Sequence, residues 1–259
     1  MLPLNCIYNL DCIDFLQKLD DLSADLAIID PPYNMKKADW DIFLSQEAFL
    51  AFTFRWIDAL LPKLSKQGSL YLFNTPYNCA FILPYLLQKG LFFQNWITWD
   101  KRDGLGSSTR KYSNGQESIL FCTKGQRHIF NYNAIRVPYE STERIQYASK
   151  KGILKNGKRW FPNAAGRLCG EVWHIPSERH QRKIGGKIQK MGHVTPKPLA
   201  MIERMVLASS NPGDLVVDCF VGSGTTAVAA KKLNRNFLCN DNNAEYVKLA
   251  QKELAKWDS

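Results

Sequence analysis

Only two strand-like runs, "DLVVDCF" (214–220) and "NFLCND" (236–241), follow the basic middle of this 259-residue chain. Two strands cannot make a stable α/β sheet, so they must complete one begun at the other end of the chain. Four apolar runs there have the length and composition of buried strands: "DLAIID" (25–30), "SLYLFN" (69–74), "NWITWD" (95–100) and "SILFCTK" (118–124). "SQEAFLAFTFRWIDALLPKL" carries apolar residues at helical spacing, and "CAFILPYLLQKG" reads as a helix ended by Gly90. "KPLAMIERMVLASS", "GTTAVAAKKLN" and "NAEYVKLAQKELAKW" supply helices near the end. Strands alternating with helices predict an α/β fold, a doubly wound and mostly parallel sheet covered on both faces. The alternation lapses from Lys124 to about Met191, where Gly, Asn, Lys and Arg increase. Residues 1–124 and 192–259 are therefore expected to be two halves of one domain around an irregular insertion, 125–191.

The charge follows the same division. From Lys124 to His193 there are 15 Lys and Arg against 4 Glu, a net of +11. Elsewhere 19 basic and 20 acidic residues remain from totals of 34 and 24, so the excess of the +10 chain lies wholly in that segment. "KKGILKNGKRW" and "ERHQRKIGGKIQK" mix cations with aromatics, glycines and amides, which suits a phosphate-binding surface.

"DCFVGSGTTA" follows one of the late strands and opens a helix. Gly222, Gly224 and Ala227 satisfy G-x-G-x-x-A, in which glycines permit a tight turn and the helix start offers unpaired N–H groups. Asp241, at the end of the next strand, can accept both hydroxyl hydrogens of a ribose. The pattern calls for a nucleoside-bearing cofactor, either a nicotinamide dinucleotide or S-adenosylmethionine. Phe220 before the first glycine and the hydroxyl pair Thr225-Thr226 favour S-adenosylmethionine, whose amino-acid end is smaller than a pyrophosphate, and Ser223 within the loop is a further candidate to bind it.

The run "DLAIID" passes directly into Asp30-Pro31-Pro32-Tyr33. Ligands of open α/β sheets sit at the carboxyl ends of strands, so Asp30 and Tyr33 project over the glycine loop if "DLAIID" lies beside "DLVVDCF". A nucleobase exocyclic amine is a poor nucleophile because its lone pair is delocalised into the ring. Acceptors aimed at both N–H bonds favour a pyramidal nitrogen. Asp30 and the Pro31 carbonyl can supply them, fixed by the restricted backbone of Pro31 and Pro32. Tyr33, taken as an exposed aromatic, offers a face for stacking worth about 1–3 kcal/mol.

Asp30-Pro31-Pro32-Tyr33 placed N-terminal to Phe220-x-Gly222-x-Gly224 resembles the β group of DNA amino-methyltransferases, over nearly the whole chain. "IDPPYN", "KADWD", "NWITWDKRDG" and "RLCGEVWH" look in particular like adenine methylases of restriction-modification systems. The resemblance implies the S-adenosylmethionine-dependent methyltransferase fold in circularly permuted order, with a catalytic half, a target-recognition region and a cofactor-binding half. It implies that Asp30, Pro31 and Tyr33 hold a flipped adenine, that Asp11 reaches the cofactor's adenine amine with Cys12 alongside, and that Asp241 takes the ribose. In "HVTPKPLAMIER", Thr195 and Lys197 are expected to help hold the methionine end, with Val194 where the family usually has proline. "FLCND" carries Cys239 and Asn240 where Gly-Ile is commoner. The basic insertion would contact double-stranded DNA through Arg144, Lys155, Lys158, Arg159, Arg179 and Arg182. The resemblance also implies a cognate restriction endonuclease acting without a stable complex, and is compatible with a homodimer.

Other readings explain less. Methylation of cytosine at its exocyclic amine needs the same acceptors, but in the family Asp at the first position accompanies adenine and Ser accompanies cytosine. Ring-carbon methylation needs a cysteine nucleophile, commonly after proline, and no Pro-Cys occurs. Asn usually replaces that Asp in relatives acting on protein glutamine or ribosomal RNA. A nicotinamide oxidoreductase leaves the Pro-Pro-Tyr turn and the basic insertion unexplained, and a noncatalytic DNA-binding protein leaves the glycine loop unexplained. Seven cysteines without a C-x-x-C pair and four histidines without metal-ligand spacing predict no bound metal. With no leader-like N-terminus and no long apolar run, a reduced cytoplasmic protein away from membranes is expected.

Overall fold

The computed structural model describes residues 2–105, 109–110, 112–177, 181–184, 187–190 and 196–257; of 102–105, 144, 181–184 and 187–190 it describes the backbone. In chain order the elements are β1 (Cys6–Tyr8), α1 (Cys12–Gln17), β2 (Ala24–Ile29), α2 (Gln46–Leu60), β3 (Leu64–Asn74), α3 (Pro76–Gln88), β4 (Phe92–Leu105) and β5 (Asn114–Thr123). The basic segment adds α4 (Thr142–Lys151), β6 (Ile153–Lys155), β7 (Lys158–Trp160), β8 (Val172–His174), β9 (Gln181–Ile184) and β10 (Lys187–Lys190). The chain closes with α5 (Leu199–Ser209), β11 (Leu215–Asp218), α6 (Thr225–Lys232), β12 (Asn236–Asn240) and α7 (Ala244–Ala255).

Among the described residues, eight strands form one sheet in the order β1-β12-β11-β2-β3-β5-β4-β8. The late strands join the early ones directly: Val216 pairs with Leu26 and Val217 with Ala27, in parallel. Strand β12 lies parallel between β11 and β1. Five of the seven pairings are parallel, so the sheet is mostly parallel as expected. The exception is β5, antiparallel to both β3 and β4. The β4–β5 connection is too short for a helical crossover, so β5 must return antiparallel.

Alternation along the strands builds two cores. Leu26 and Ile28 face α5, α6 and α7 through Met201, Met205, Ala229 and Val247. Ala27 and Ile29 face α1, α2 and α3 through Phe15, Trp56, Ile57 and Ile82. A strand buried on both faces reads as an unbroken apolar run because neither set of side chains meets water. Caps place the helices: Ser45 Oγ accepts from Ala48 N (3.2 Å) to start α2, and Thr75 Oγ1 accepts from Asn78 N (3.2 Å) to start α3, with Pro76 first in the helix.

The basic segment is less irregular than expected. It holds α4 and two antiparallel ribbons, β6–β7 and β9–β10. Its strand β8 joins the main sheet at the β4 edge, with Trp99 opposite Trp173. Three residues are too few to carry a strand signal of their own, and β8 exists because the β4 edge supplies its hydrogen bonds. All seven cysteines are free. Among the described residues no cluster of His, Cys, Asp and Glu could hold a metal, and no helix is long and apolar enough to cross a membrane.

Candidate active site

Parallel pairing of β2 with β11 brings the two turns that follow them to the same end of the sheet. They line one cavity of about 260 Å³, with Asp30, Pro31, Pro32 and Tyr33 on one side and Phe220, Gly222, Ser223, Thr225 and Thr226 on the other. Asp11, Cys12, Lys197 and Asp241 line it too.

The turn after β2 is fixed by a residue that sequence reasoning passed over. Asp41 is 1% exposed, and its carboxylate accepts four backbone N–H groups. Oδ1 takes those of Tyr33 (2.6 Å) and Asn34 (2.8 Å), and Oδ2 those of Met35 (3.0 Å) and Lys37 (3.2 Å). Asn34 and Lys36 both have φ of +59°, which bends the chain around that carboxylate. Asn78 Nδ2 donates to the Tyr33 carbonyl (2.8 Å), tying the turn to α3.

Both Asp30 oxygens are engaged. Oδ1 accepts from the Tyr33 hydroxyl (2.8 Å) and Oδ2 from Lys197 Nζ (2.6 Å). Glu117, on β5, lies beside them. Its Oε2 is 3.2 Å from the Tyr33 oxygen and 3.5 Å from Lys197 Nζ, and its Oε1 pairs with Lys101. Burial works to raise the Glu117 pKa, but Lys197 and Lys101 outweigh it and hold the carboxyl down at about 2. Burial lowers the Lys197 pKa, yet Asp30 and Glu117 more than reverse this, so its pKa is raised. Tyr33 is not the exposed ring expected: it is 8% exposed, with Lys197 Nζ 5.4 Å from the ring centroid. Its hydroxyl can satisfy a carboxylate only from inside the fold, so the side chain turns inward. Lys197 spans the site: its Nζ meets Asp30, while its carbonyl accepts from Thr225 Oγ1 at 3.4 Å.

Across the cavity, Gly222 (φ +50°) and Gly224 (φ +87°) shape the loop between β11 and α6. Gly222 N donates to Asp241 Oδ2 (3.0 Å), and Asn243 N donates to Asp241 Oδ1 (2.9 Å). Asp218, the last residue of β11, accepts from Phe220 N (3.0 Å) and the Thr226 hydroxyl (2.6 Å). Burial, with Asp30 and Asp241 adding to it, pushes the Asp218 carboxyl up to about 7. Burial likewise raises the Asp241 pKa, and it pushes the Cys12 thiol, with Asp11 beside it, up to about 12. Asp11 caps α1, accepting from Ile13 N (2.8 Å). Phe220 packs edge-on against Trp56, with ring centroids 5.6 Å apart.

Gly224 does not line the cavity; it lets the loop rest on α7. A Cβ there would lie 2.8 Å from Cα and Cβ of Ala250. Gly224→Ala is therefore expected to cost about 2–5 kcal/mol from the positive φ and the overpacking together. That corresponds to a Tm drop on the order of 10 °C, accompanied by at least a roughly tenfold loss of cofactor affinity as the loop is displaced. Thermal melts and calorimetric titration check both, and an unchanged melt would mean that the loop does not depend on α7.

Of the remaining expected residues, Lys155, Lys158 and Arg159 lie on the β6–β7 ribbon and do not line the cavity. Arg159 donates to the Lys151 carbonyl at the end of α4. Arg144 is on α4 and Arg182 on β9, with side chains outside the description, and Thr195 and Arg179 lie outside the described residues. Asp41, Glu117 and Asp218 were missed. Asp218 had a signal, a carboxylate closing a strand just before a glycine loop. Glu117 had none, because only antiparallel register carries it to Asp30.

A family model described as DNA methylase matches residues 24–252. The chain is 64% identical over 250 residues to the type II methyltransferase M1.MboII of Moraxella bovis, covering 96% of each. Its fold is similar to the crystal structure of an M1.HpyAVI–SAM complex, with TM-score 0.64 and 24% identity, over 96% of this chain and 98% of that one. It is also similar to the PvuII DNA methyltransferase described as cytosine-N4-specific, with TM-score 0.68 and 17% identity, over 95% and 84%.

Proposed function

The chain belongs to the DNA methylase family, and from that premise we propose that it methylates the exocyclic N6 amine of an adenine flipped out of double-stranded DNA at a short specific sequence. The protein is an S-adenosylmethionine-dependent DNA methyltransferase of the type II class. Membership in this family removes the oxidoreductase and noncatalytic readings. The observation that carries the amine-methylating reading is the meeting of Asp30-Pro31-Pro32-Tyr33 with the glycine loop across one cavity, and the choice of adenine rests on Asp30 standing where Ser accompanies cytosine.

The donor set fits the cofactor. Asp30, Asp218 and Asp241 line the same cavity, and their mutual repulsion contributes to raising the Asp218 pKa. Such an excess of negative potential is offset by a cation, and S-adenosylmethionine carries a sulfonium. When bound, it supplies the electrophilic methyl group. Asp241 would take the ribose hydroxyls on lone pairs not used by Gly222 and Asn243, Asp11 the adenine amine, and Ser223, Thr225 and Thr226 the amino-acid end. Lys197 would brace the methionine side through its backbone while its ammonium holds Asp30.

The target amine would give one N–H to Asp30 and the other to the Pro31 carbonyl. This directs the nitrogen lone pair at the glycine-loop side of the cavity, where displacement at the methyl carbon is in line. Extrusion of the base from a duplex costs a few kcal/mol. Phosphate contacts by Arg144, Lys155, Lys158, Arg159, Arg179 and Arg182 would offset it. In this reading residues 1–124 are the catalytic half, 125–191 read the target and 192–259 complete the cofactor side, a circular permutation of the usual order. A restriction endonuclease of the same specificity would act separately, and two copies of the chain could associate without altering the chemistry.

Base-resolved modification mapping of DNA from expressing cells tests the reading. N6-methyladenine in a single short context is the expected result. N4-methylcytosine would overturn the choice of base, and DNA without any new modification would overturn the function.

A further inference from the structure

In the structure each Asp30 oxygen already carries a donor, the Tyr33 hydroxyl on one and the Lys197 ammonium on the other. Each oxygen keeps a second lone pair, but one that holds an ammonium at 2.6 Å is a poorer acceptor for the N–H of a base amine. The target amine therefore competes with that donor, and a donor displaced inside a buried site needs another acceptor. Glu117 is the acceptor in reach of both, with Oε2 3.2 Å from the Tyr33 oxygen and 3.5 Å from Lys197 Nζ. These distances are longer than those to Asp30, as expected for the less favoured of two partners.

We propose that Glu117 is a positioning residue that takes over the Lys197 ammonium when the target amine takes its place on Asp30. The proposal rests on the amine-methylating reading above. The groups facing Glu117 suit this exchange. Lys101 from β4 pairs with Oε1 and leaves Oε2 to the Tyr33 hydroxyl and the Lys197 ammonium. Lys37 from the Asp41-clamped turn, Lys197 from the segment before α5, and Asp30 and Tyr33 from the turn after β2 complete its surroundings. No donor need leave the site, so opening Asp30 to substrate exchanges one hydrogen bond for another.

The test compares single-turnover methyl transfer and cofactor Kd in Glu117→Gln and in the Glu117→Gln/Lys197→Met double variant. In Glu117→Gln the ammonium has no other carboxylate to move to and stays on Asp30. Transfer is expected to fall by at least about thirtyfold, with cofactor Kd held within about twofold. Removing Lys197 as well frees Asp30, so the double variant is expected to transfer at least about tenfold faster than Glu117→Gln alone. A purely structural role for Glu117 predicts the opposite order, with the second substitution adding damage. The proposal is overturned by near wild-type transfer in Glu117→Gln, by a parallel loss of cofactor affinity, or by a double variant no faster than the single. If Glu117→Gln does not fold, Glu117→Asp, which withdraws the same charge by one methylene, is expected to lose about tenfold in transfer at unchanged cofactor Kd, and a wild-type rate would overturn the idea. A wild-type protein that transfers no methyl group to DNA would overturn the amine-methylating reading and this proposal together, whereas an active wild type with an unaffected Glu117→Gln sinks the proposal alone.

Discussion

Asp30→Ala is expected to reduce methyl transfer by at least about 10²–10³-fold, the cost of deleting one preorganised polar group aimed at a reacting atom, with cofactor affinity within about threefold of wild type. The loss arises because nothing else in the cavity can take the carboxylate's place. The Pro31 carbonyl satisfies only one of two N–H bonds, and Glu117 is already held by Lys101 and Lys197. The protein should still fold, since Lys197 keeps Glu117 as a partner and no buried cation is orphaned. Asp30→Asn sharpens the test. It preserves shape and one acceptor oxygen but replaces the other with an NH₂ donor and removes the charge, so it should fall between wild type and the alanine variant. Single-turnover assays with calorimetric cofactor binding decide the matter, and an Asp30→Ala variant at a normal rate would remove Asp30 from the reaction.

Asp41→Ala is expected to be nearly as damaging although Asp41 would not contact the reacting amine. Removing its carboxylate strips the acceptor from four backbone N–H groups in one turn. Hydrogen bonds to a charged acceptor contribute about 1.5–3 kcal/mol each, without strict additivity. The residues with positive φ, Asn34 and Lys36, would then relax. The Pro31 carbonyl and Asp30 would lose their fixed separation, and transfer should fall by about 10²-fold or more, because misplacement by about 1 Å already has that effect. Cofactor affinity should change little, as Asp11, Asp241 and the glycine loop bind elsewhere on the cavity wall. Asp41→Asn keeps one acceptor oxygen and should fall between the two. If Asp41→Ala transfers at the wild-type rate, the turn is held by the prolines alone.

The legible parts of this molecule are those where local pattern and burial agree. "DLAIID" and "DLVVDCF" read as strands because both of their faces are covered. Asp30 and the glycine loop were placed together because two late strands had nowhere else to pair. The misreadings involve tertiary partners. Strand β5 looks like any parallel strand until the short β4–β5 connection reverses it, and that reversal brings Glu117 next to Asp30. Tyr33 looked like a stacking platform, but a hydroxyl within reach of two carboxylates is drawn inward. Asp41 is ordinary in sequence, since its role exists only once the turn folds back on it. Strand β8 borrows its structure from the β4 edge.

The pairing of Leu26 with Val216 has a consequence for how the protein is made. During synthesis, β2 leaves the ribosome with one edge bare, and its partner arrives only after most of the chain has been translated. Until then the growing chain exposes an apolar strand with open hydrogen-bonding groups, a state prone to mispairing and suited to chaperone capture. Long-range pairing of this kind also slows folding. Messages broken before codon 215 would thus yield nothing with partial activity, and a cell would acquire the modifying enzyme only when translation reaches the final helices.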